Sequence, residues 1–285
     1  MSNELIRDIR AFAERQRDHP LARPNNSPSP GSDVQALLQA EWSTRPEWVN
    51  AEFDASLLVA QALNAEVSPR LVRAERDAVL AQLPIDRWPW EGLKTLGFDG
   101  DRETYESLDN SRIDCVLARQ RGIPISLAVV LISAARHLGL SAAGLNQPGH
   151  FLVLVEDRLI DPFSMTPVQK EPVQEQSVRE RAEQSAPLAS PLMLMMRMLN
   201  NAKLHFRSTG ALDRALDMVS LQLAALPKQP ELWCEKGDLW ASIGGTGGAS
   251  RAYREALACM EGDHPLRATL ESRLMRVSKD QETLH

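Results

Sequence analysis

The sequence predicts an α+β core preceded by a helical subdomain and followed by an all-α repeat region. Three observations predict it. Ile125, Leu127, Val129, Val130, Leu131 and Ile132 run from Pro124 almost without a polar face, which marks a central helix covered on most sides. Three short apolar runs then follow, over 142–146, 151–155 and 159–161, the pattern of an antiparallel sheet fed by that helix. Beyond residue 191 the chain repeats itself. Leu199 and Trp233, Phe206 and Trp240, Gly210 and Gly244, Ala215 and Ala249, and Val219 and Tyr253 are each 34 residues apart.

Taken in order, residues 1–34 read as a short amphipathic helix, with Leu5, Ile6, Ile9, Phe12 and Ala13 at helical spacing, and then a flexible arm. Pro20, Pro24, Pro28 and Pro30 interrupt any helix or strand in that arm. Residues 35–169 carry the helical subdomain and the core. Leu57, Leu58, Ala60 and Leu63, then Leu71, Ala74, Val79, Leu80 and Leu83, are spaced for buried helix faces. The sequence Trp88-Pro89-Trp90 ends that pattern. Pro124 suits the first turn of the central helix, where a missing N–H costs nothing, and Gly139 suits its C-terminal cap. Glu156-Asp157-Arg158 reads as a tight turn between two strands. Residues 170–191 have the Glu, Gln, Ser and Pro composition of a linker. Residues 192–285 form the repeat helices. Their 34-residue period is that of tetratricopeptide repeats, with Gly237, Ala249 and Ala256 in slots where two helices approach closely and Pro227 ending the first copy.

Composition narrows the function. Of 285 residues, 43% are hydrophobic and 25% charged, so the chain can bury a core rather than remain disordered. A net charge of −6 and the lack of a polybasic tract speak against nucleic acid as the main partner. The longest apolar stretch is too short and too interrupted to span a membrane, and the charged N-terminus lacks the features of a secretory signal. Cys115, Cys234 and Cys259 have neither disulfide nor metal-ligand spacing, so no metal or cofactor is expected, and reduced thiols fit the cytoplasm.

His150 stands at the edge of an apolar strand and Asp161 on what would be the adjacent strand. A carboxylate beside an imidazole fixes its tautomer and stabilises its cation, as in the lower two members of a Cys/His/Asp system. The plainer alternative is a structural histidine and a turn-forming Asp-Pro pair.

Four ordered blocks make the sequence recognisable: Asp109-Asn110-Ser111, Arg119 to Leu127, Gly144 to Leu152, and Ile160-Asp161-Pro162-Phe163. Together they resemble the SirB-like branch of the transglutaminase-like proteins, over roughly residues 53–260. That resemblance implies a papain-like scaffold joined to C-terminal tetratricopeptide repeats. Active members place a nucleophilic cysteine at the start of the buried helix and a histidine and an aspartate on successive strands. His150 and Asp161 match the last two. The cysteine position falls in Gly122-Ile123-Pro124, where alignment places Pro124, which has no group to attack a carbonyl.

Three functions are open at this point. The first is a non-catalytic module that binds a protein or peptide partner through its repeats. The second is a cryptic hydrolase or acyltransferase with Cys115 or Ser126 as the nucleophile beside His150 and Asp161. The third is a ligand pocket formed by His150, Asp161, Asn146 and Arg121 without turnover. The two nucleophile candidates also have bland readings, Cys115 as a small buried apolar residue and Ser126 as a helix-start residue bonding local backbone.

Overall fold

A computed structural model describes residues 2–17, 19, 46–147, 150–168 and 188–283. Most of the Pro-rich arm and of the stretch expected as a linker lies outside them. The chain divides into two compact units, Arg15–Met198 and Leu199–His285 together with Met1–Glu14. The boundary between Glu14 and Arg15 falls inside the segment expected as an N-terminal helix and arm. The division at Met198 falls inside a continuous helix, not in 170–191.

The larger unit contains the sheet. Its helices are α2 (Pro46–Val49), α3 (Ala51–Leu63), α4 (Pro69–Leu80), α5 (Pro89–Thr95), α6 (Ile113–Arg119) and α7 (Pro124–His137). Helix α7 is the expected central helix. Every residue from Ile125 to Ala135 on it is buried, and each Leu, Ile or Val so placed contributes about 1.5–3 kcal/mol. It begins with proline at the first helical position. It ends at Gly139, whose φ of 77° is open to glycine without strain, and the Leu140 N–H there closes on the Ala135 carbonyl. Helix α3, buried over most of its surface, packs against α7.

Two short strands, β1 (Asp99–Gly100) and β2 (Arg121–Gly122), pair in parallel just before α7. The main sheet comprises β3 (Ala142–Gln147), β4 (His150–Val155), β5 (Arg158–Asp161), β6 (Thr166–Pro167) and β7 (Leu188–Ala189). Its order is β6-β5-β4-β3-β7, antiparallel throughout. Leu188 and Ala189, expected as linker, are thus an edge strand, and Pro191 already opens a helix. Pairing of Leu145 with Leu152 and of Leu154 with Leu159 puts these leucines on one face. They form a cluster of their own with Leu188. Phe151, Val153, Val155 and Ile160 alternate onto the other face, all buried. Helix α7 packs on β3 and β4, and because the leucine cluster contains no α7 residue, the Phe151 face is the one that meets it.

The smaller unit is all helical. Helix α1 (Asn3–Arg15) starts where Ser2 Oγ accepts the Leu5 N–H at 3.2 Å, and it buries Leu5, Ile9, Phe12 and Ala13. The C-terminal helices are α8 (Pro191–Ser208), which enters this unit at Leu199, then α9 (Leu212–Ala225), α10 (Pro230–Ser242), α11 (Thr246–Ala258) and α12 (Arg267–Thr283). The 34-residue period is written in the backbone. Gly210 and Gly244 have φ of 78° and 76°. The residues after them, Ala211 and Gly245, share φ near −80° with ψ of 63° and 66°. In each copy a backbone bond spans the glycine carbonyl, from Leu212 N at 2.9 Å and from Thr246 N at 3.0 Å.

Candidate functional site

The resemblance puts a nucleophile at the start of α7, where the described side chains are bonded locally. Pro124 occupies the first helical position and offers neither an N–H nor a reactive side chain. Ser126, fully buried, turns back on the helix start. Its Oγ accepts the Ile123 N–H at 3.2 Å and donates to the Ile123 carbonyl at 3.0 Å. Gly122 leaves the room for that turn, since a Cβ there would lie 2.7 Å from Ser126 Oγ. Ser126 is therefore a helix-capping residue bonded to the Ile123 backbone.

Cys115 lies on α6, with Sγ directed at Asp109 Oδ1 (3.7 Å) and Asp114 Oδ2 (3.9 Å). Burial, and then the Asp114 carboxylate, push its thiol up to about 11. A thiol so raised is protonated at neutral pH and is a poor nucleophile.

His150 opens β4 and is exposed. By alternation it shares a face with Leu152 and Leu154, opposite the face that meets α7. Asp161 ends β5. Its Oδ1 accepts the Phe163 N–H at 2.9 Å and its Oδ2 the Ser164 hydroxyl at 2.7 Å. Asp161 thus builds the turn into β6, and Met165 within that turn takes a φ of 49°. Among the described residues no hydrogen bond or ion pair joins His150 to Asp161, Cys115 or Ser126. The strands bring His150 and Asp161 onto one sheet face two register steps apart, without the contact that would fix an imidazole tautomer.

The two residues expected to line a ligand pocket are separated as well. Arg121 Nη1 donates to the carbonyls of Gly97 (2.5 Å) and Gln120 (3.0 Å) at the β1–β2 end. Asn146, on β3, accepts from Arg197 of α8 and donates to Met193 Sδ at 3.4 Å. Arg197 also lies over the Phe151 ring.

Pairing of Arg119 with the acidic stretch 99–106 can be read from the sequence, but the polar network it joins beside β1 cannot. Asp101 Oδ1 accepts the Thr104 N–H at 2.8 Å and Oδ2 the Thr104 hydroxyl at 2.6 Å. These bonds, the hydroxyl's first, hold the Asp101 carboxyl down to about 2. Arg119 approaches Asp101 at 3.8 Å and donates to Asn110 Oδ1 at 2.9 Å, while buried Asn110 donates to the Thr104 and Tyr105 carbonyls. Phe163 lies flat on Gly100, where a Cβ would come within 2.4 Å of its ring, and Tyr105 and Arg102 meet the same ring. The available signal was the glycine between two aspartates at 99–101, a mark of close approach.

Two surface hollows adjoin α5. One is lined by Arg87, Glu91, Lys94 and Thr95, the other by Ile85, Trp88, Leu138 and Leu140 with their neighbours. Neither reaches His150 or Asp161. Among the described residues no three His, Cys, Asp or Glu side chains gather to hold a metal ion, and no helix is long and apolar enough to cross a membrane.

This arrangement, a buried helix starting behind a two-stranded ladder and packed on a small antiparallel sheet, agrees with comparisons to known proteins. A family model described as the transglutaminase-like superfamily matches residues 56–203. A UPF0162 protein of Xylella fastidiosa (strain Temecula1) is 30% identical over 260 residues, 81% of this chain and 92% of the relative. A UPF0162 protein of Vibrio cholerae is 36% identical over 110 residues, 39% of this chain and 37% of the relative. F-box only protein 21 of Homo sapiens is 40% identical over 58 residues, 20% of this chain and 9% of the relative. No solved structure matches. The chain belongs to the transglutaminase-like superfamily and, within it, to the UPF0162 proteins.

Proposed function

We propose that this chain is a non-catalytic member of its superfamily that holds a protein or peptide partner on its repeat helices. The observation that supports it is the start of α7. Proline stands where the resemblance puts the nucleophile, Ser126 is spent on the Ile123 backbone, and the Cys115 thiol is raised and directed at carboxylates. General-base catalysis needs a reacting group within hydrogen-bond reach of its base, and among the described residues none bonds to His150.

On this reading the helix pairs α8–α9 and α10–α11 are tetratricopeptide repeats capped by α12. Their matched glycine turns support that assignment. Arrays of about three repeats are usual, and a terminal helix that packs on the last pair makes up the difference. Leu204 of α8 and Met275 of α12 leave large apolar side chains exposed, as a binding surface would. Three free thiols suit a reducing compartment such as the cytoplasm.

The test uses the native full-length chain at neutral pH with a cysteine-directed chloroacetamide and a serine-directed fluorophosphonate, read by intact and peptide mass. The expected result is no fast labelling of Cys115 or Ser126. Stoichiometric labelling of either that disappears in His150→Ala would replace this reading with a hydrolase or acyltransferase. For the binding half, peptides selected on the full chain from a displayed library should lose affinity for Leu204→Glu or Met275→Glu and keep it for His150→Ala. The reverse pattern would move the binding surface to the sheet.

A further inference from the structure

Four buried groups from separate elements of the larger unit meet at one point. Helices α3 and α7 are tied by Glu52 and Arg136, whose Nη1 donates to Glu52 Oε2 at 2.6 Å and whose Nη2 donates to Oε1 at 2.8 Å. Both side chains are nearly closed to solvent, at 9% and 2% exposure for Arg136 and Glu52. Arg136 also donates to the Val49 carbonyl of α2 at 2.8 Å and to the Ala142 carbonyl of β3 at 3.2 Å. A carboxylate and a guanidinium arranged this way neutralise each other, and such a pair is costly to disturb once water is excluded.

Into this centre comes His19, the residue that follows α1 by four positions. It is fully buried, its ring stands edge-on to Trp48 at 5.2 Å, and its backbone N–H donates to the Gln16 carbonyl at 3.1 Å. Trp48 directly precedes the Val49 whose carbonyl Arg136 binds. The charged groups that act on the His19 ring are Glu52 from α3 and Arg136 from α7, while α2 contributes the uncharged indole of Trp48.

We propose that His19 is an acid-released latch, a neutral imidazole that pins the chain leaving α1 against the Glu52–Arg136 pair and lets go when it takes up a proton. The chemistry is that of adding a third charge to a balanced pair in a dry site. Glu52 attracts a histidinium and Arg136 repels it, and the loss of water on burial outweighs both. Burial lowers the His19 pKa to about 4, against the pull of the Glu52 carboxylate and with a smaller push from the Arg136 charge. The sign follows. A histidine with a folded-state pKa below its unfolded value of 6.5 binds more protons when released, so the latch is fully closed above pH 6.5 and weakens as pH falls toward 4.

The test is a titration of the full chain carrying ring-labelled histidine, with the tryptophan indole N–H signals followed in the same samples. One imidazole should stay neutral well below pH 6, and the Trp48 indole should shift as that imidazole protonates. In parallel, the unfolding equilibrium is measured from pH 7 to 4.5 for the natural chain and for His19→Phe, which keeps an aromatic ring against Trp48 but cannot take a proton. The natural chain should lose on the order of 100-fold more in folding constant over that range than His19→Phe does. If His19→Phe does not fold, His19→Gln serves the same comparison, and the titration needs no variant. A His19 signal that titrates near 6.5 while Trp48 stays unmoved, or equal acid sensitivity in the natural chain and the variant, would overturn the proposal.

Discussion

Where α8 crosses α9, Lys203 and Gln222 occupy the positions that Gly237 and Ala256 hold 34 residues later between α10 and α11. In the second copy the helices meet through small residues, and Gly237 lies so close to the Tyr253 ring that a Cβ would come within 2.3 Å of it. In the first copy the same crossing is polar. Lys203, 2% exposed at its side chain, donates from Nζ to Gln222 Oε1 at 2.8 Å and to Glu235 Oε2 of α10 at 2.5 Å. Arg207 reaches the other oxygen of Glu235 at 3.1 Å. The glycine crossing joins close packing to one hydrogen bond, from Tyr253 to Asp238. The lysine crossing gives up some packing and gains a directional tie that fixes α10 to the pair before it. A buried ion pair is weak evidence for stability but can specify register, which an array of similar helices needs.

The largest effect should come from filling the tight crossing. Gly237→Val places branched carbon where the Tyr253 ring now lies, and backbone on both helices prevents easy relief. The expected loss is about 3 kcal/mol or more, at or beyond the usual upper range for overpacking, seen as a lowered denaturant midpoint. A loss below about 1 kcal/mol would mean that the helices are not held at this distance.

Next in size is Lys203→Ala. It removes the Lys203 ammonium from the Gln222 oxygen and leaves Glu235 with Arg207. Breaking a fully buried pair costs about 3–5 kcal/mol. Glu235 is partly exposed and keeps a second cation, so about 2 kcal/mol is expected here. The double variant Lys203→Ala, Gln222→Ala imitates the second copy and should cost less than the sum of the two single changes, because the bond between the two side chains is lost only once. Strict additivity in the cycle would show that the pair acts as two independent residues.

The fold was legible where one pattern dominates. The unbroken apolar run of α7 and the 34-residue spacing both reflect a single constraint repeated along the chain, and the structure places the helix and the turns at those residues. The leucine-bearing strands were legible for the same reason. Lys203 and Gln222 were not, because a lysine in a slot for small residues looks like a surface position until its two acceptors are known. The candidate site was half legible. Missing chemistry at Pro124 can be read from the residue itself. That Asp161 is spent on Phe163 and Ser164, and that His150 points to the face away from α7, depend on register and turn geometry, which spacing alone does not carry.

A smaller effect tests what the two copies share. Gly210 and Gly244 adopt the same left-handed conformation, and at neither does any atom lie within 4 Å of the point a Cβ would occupy. Gly210→Ala and Gly244→Ala should therefore each cost between about 1 and 2 kcal/mol, from backbone conformation only. The two losses should agree within error. Unequal losses would mean that one turn is held by contacts the other lacks.

The smallest effect separates the copies again, by pH. Tyr253, which stands where the first copy has Val219, donates its hydroxyl to Asp238 Oδ1 at 2.8 Å, and Asp238 is held by Arg273 of α12 at 2.6 and 2.7 Å. Burial, and then that bond to a carboxylate, raise the phenol above its ordinary value near 10. An acid whose folded pKa is raised favours the fold in its neutral form. Its contribution is complete below pH 10 and is lost as pH rises beyond that. Tyr253→Phe should cost about 1 kcal/mol at pH 7 and should flatten the decline in stability between pH 9 and 11. Val219 has no proton to lose, so Val219→Ala should lower stability at every pH without changing the slope. If Tyr253→Phe leaves the alkaline slope as it was, the phenol does not carry the coupling between α11 and α12, and Asp238 is held by Arg273 alone.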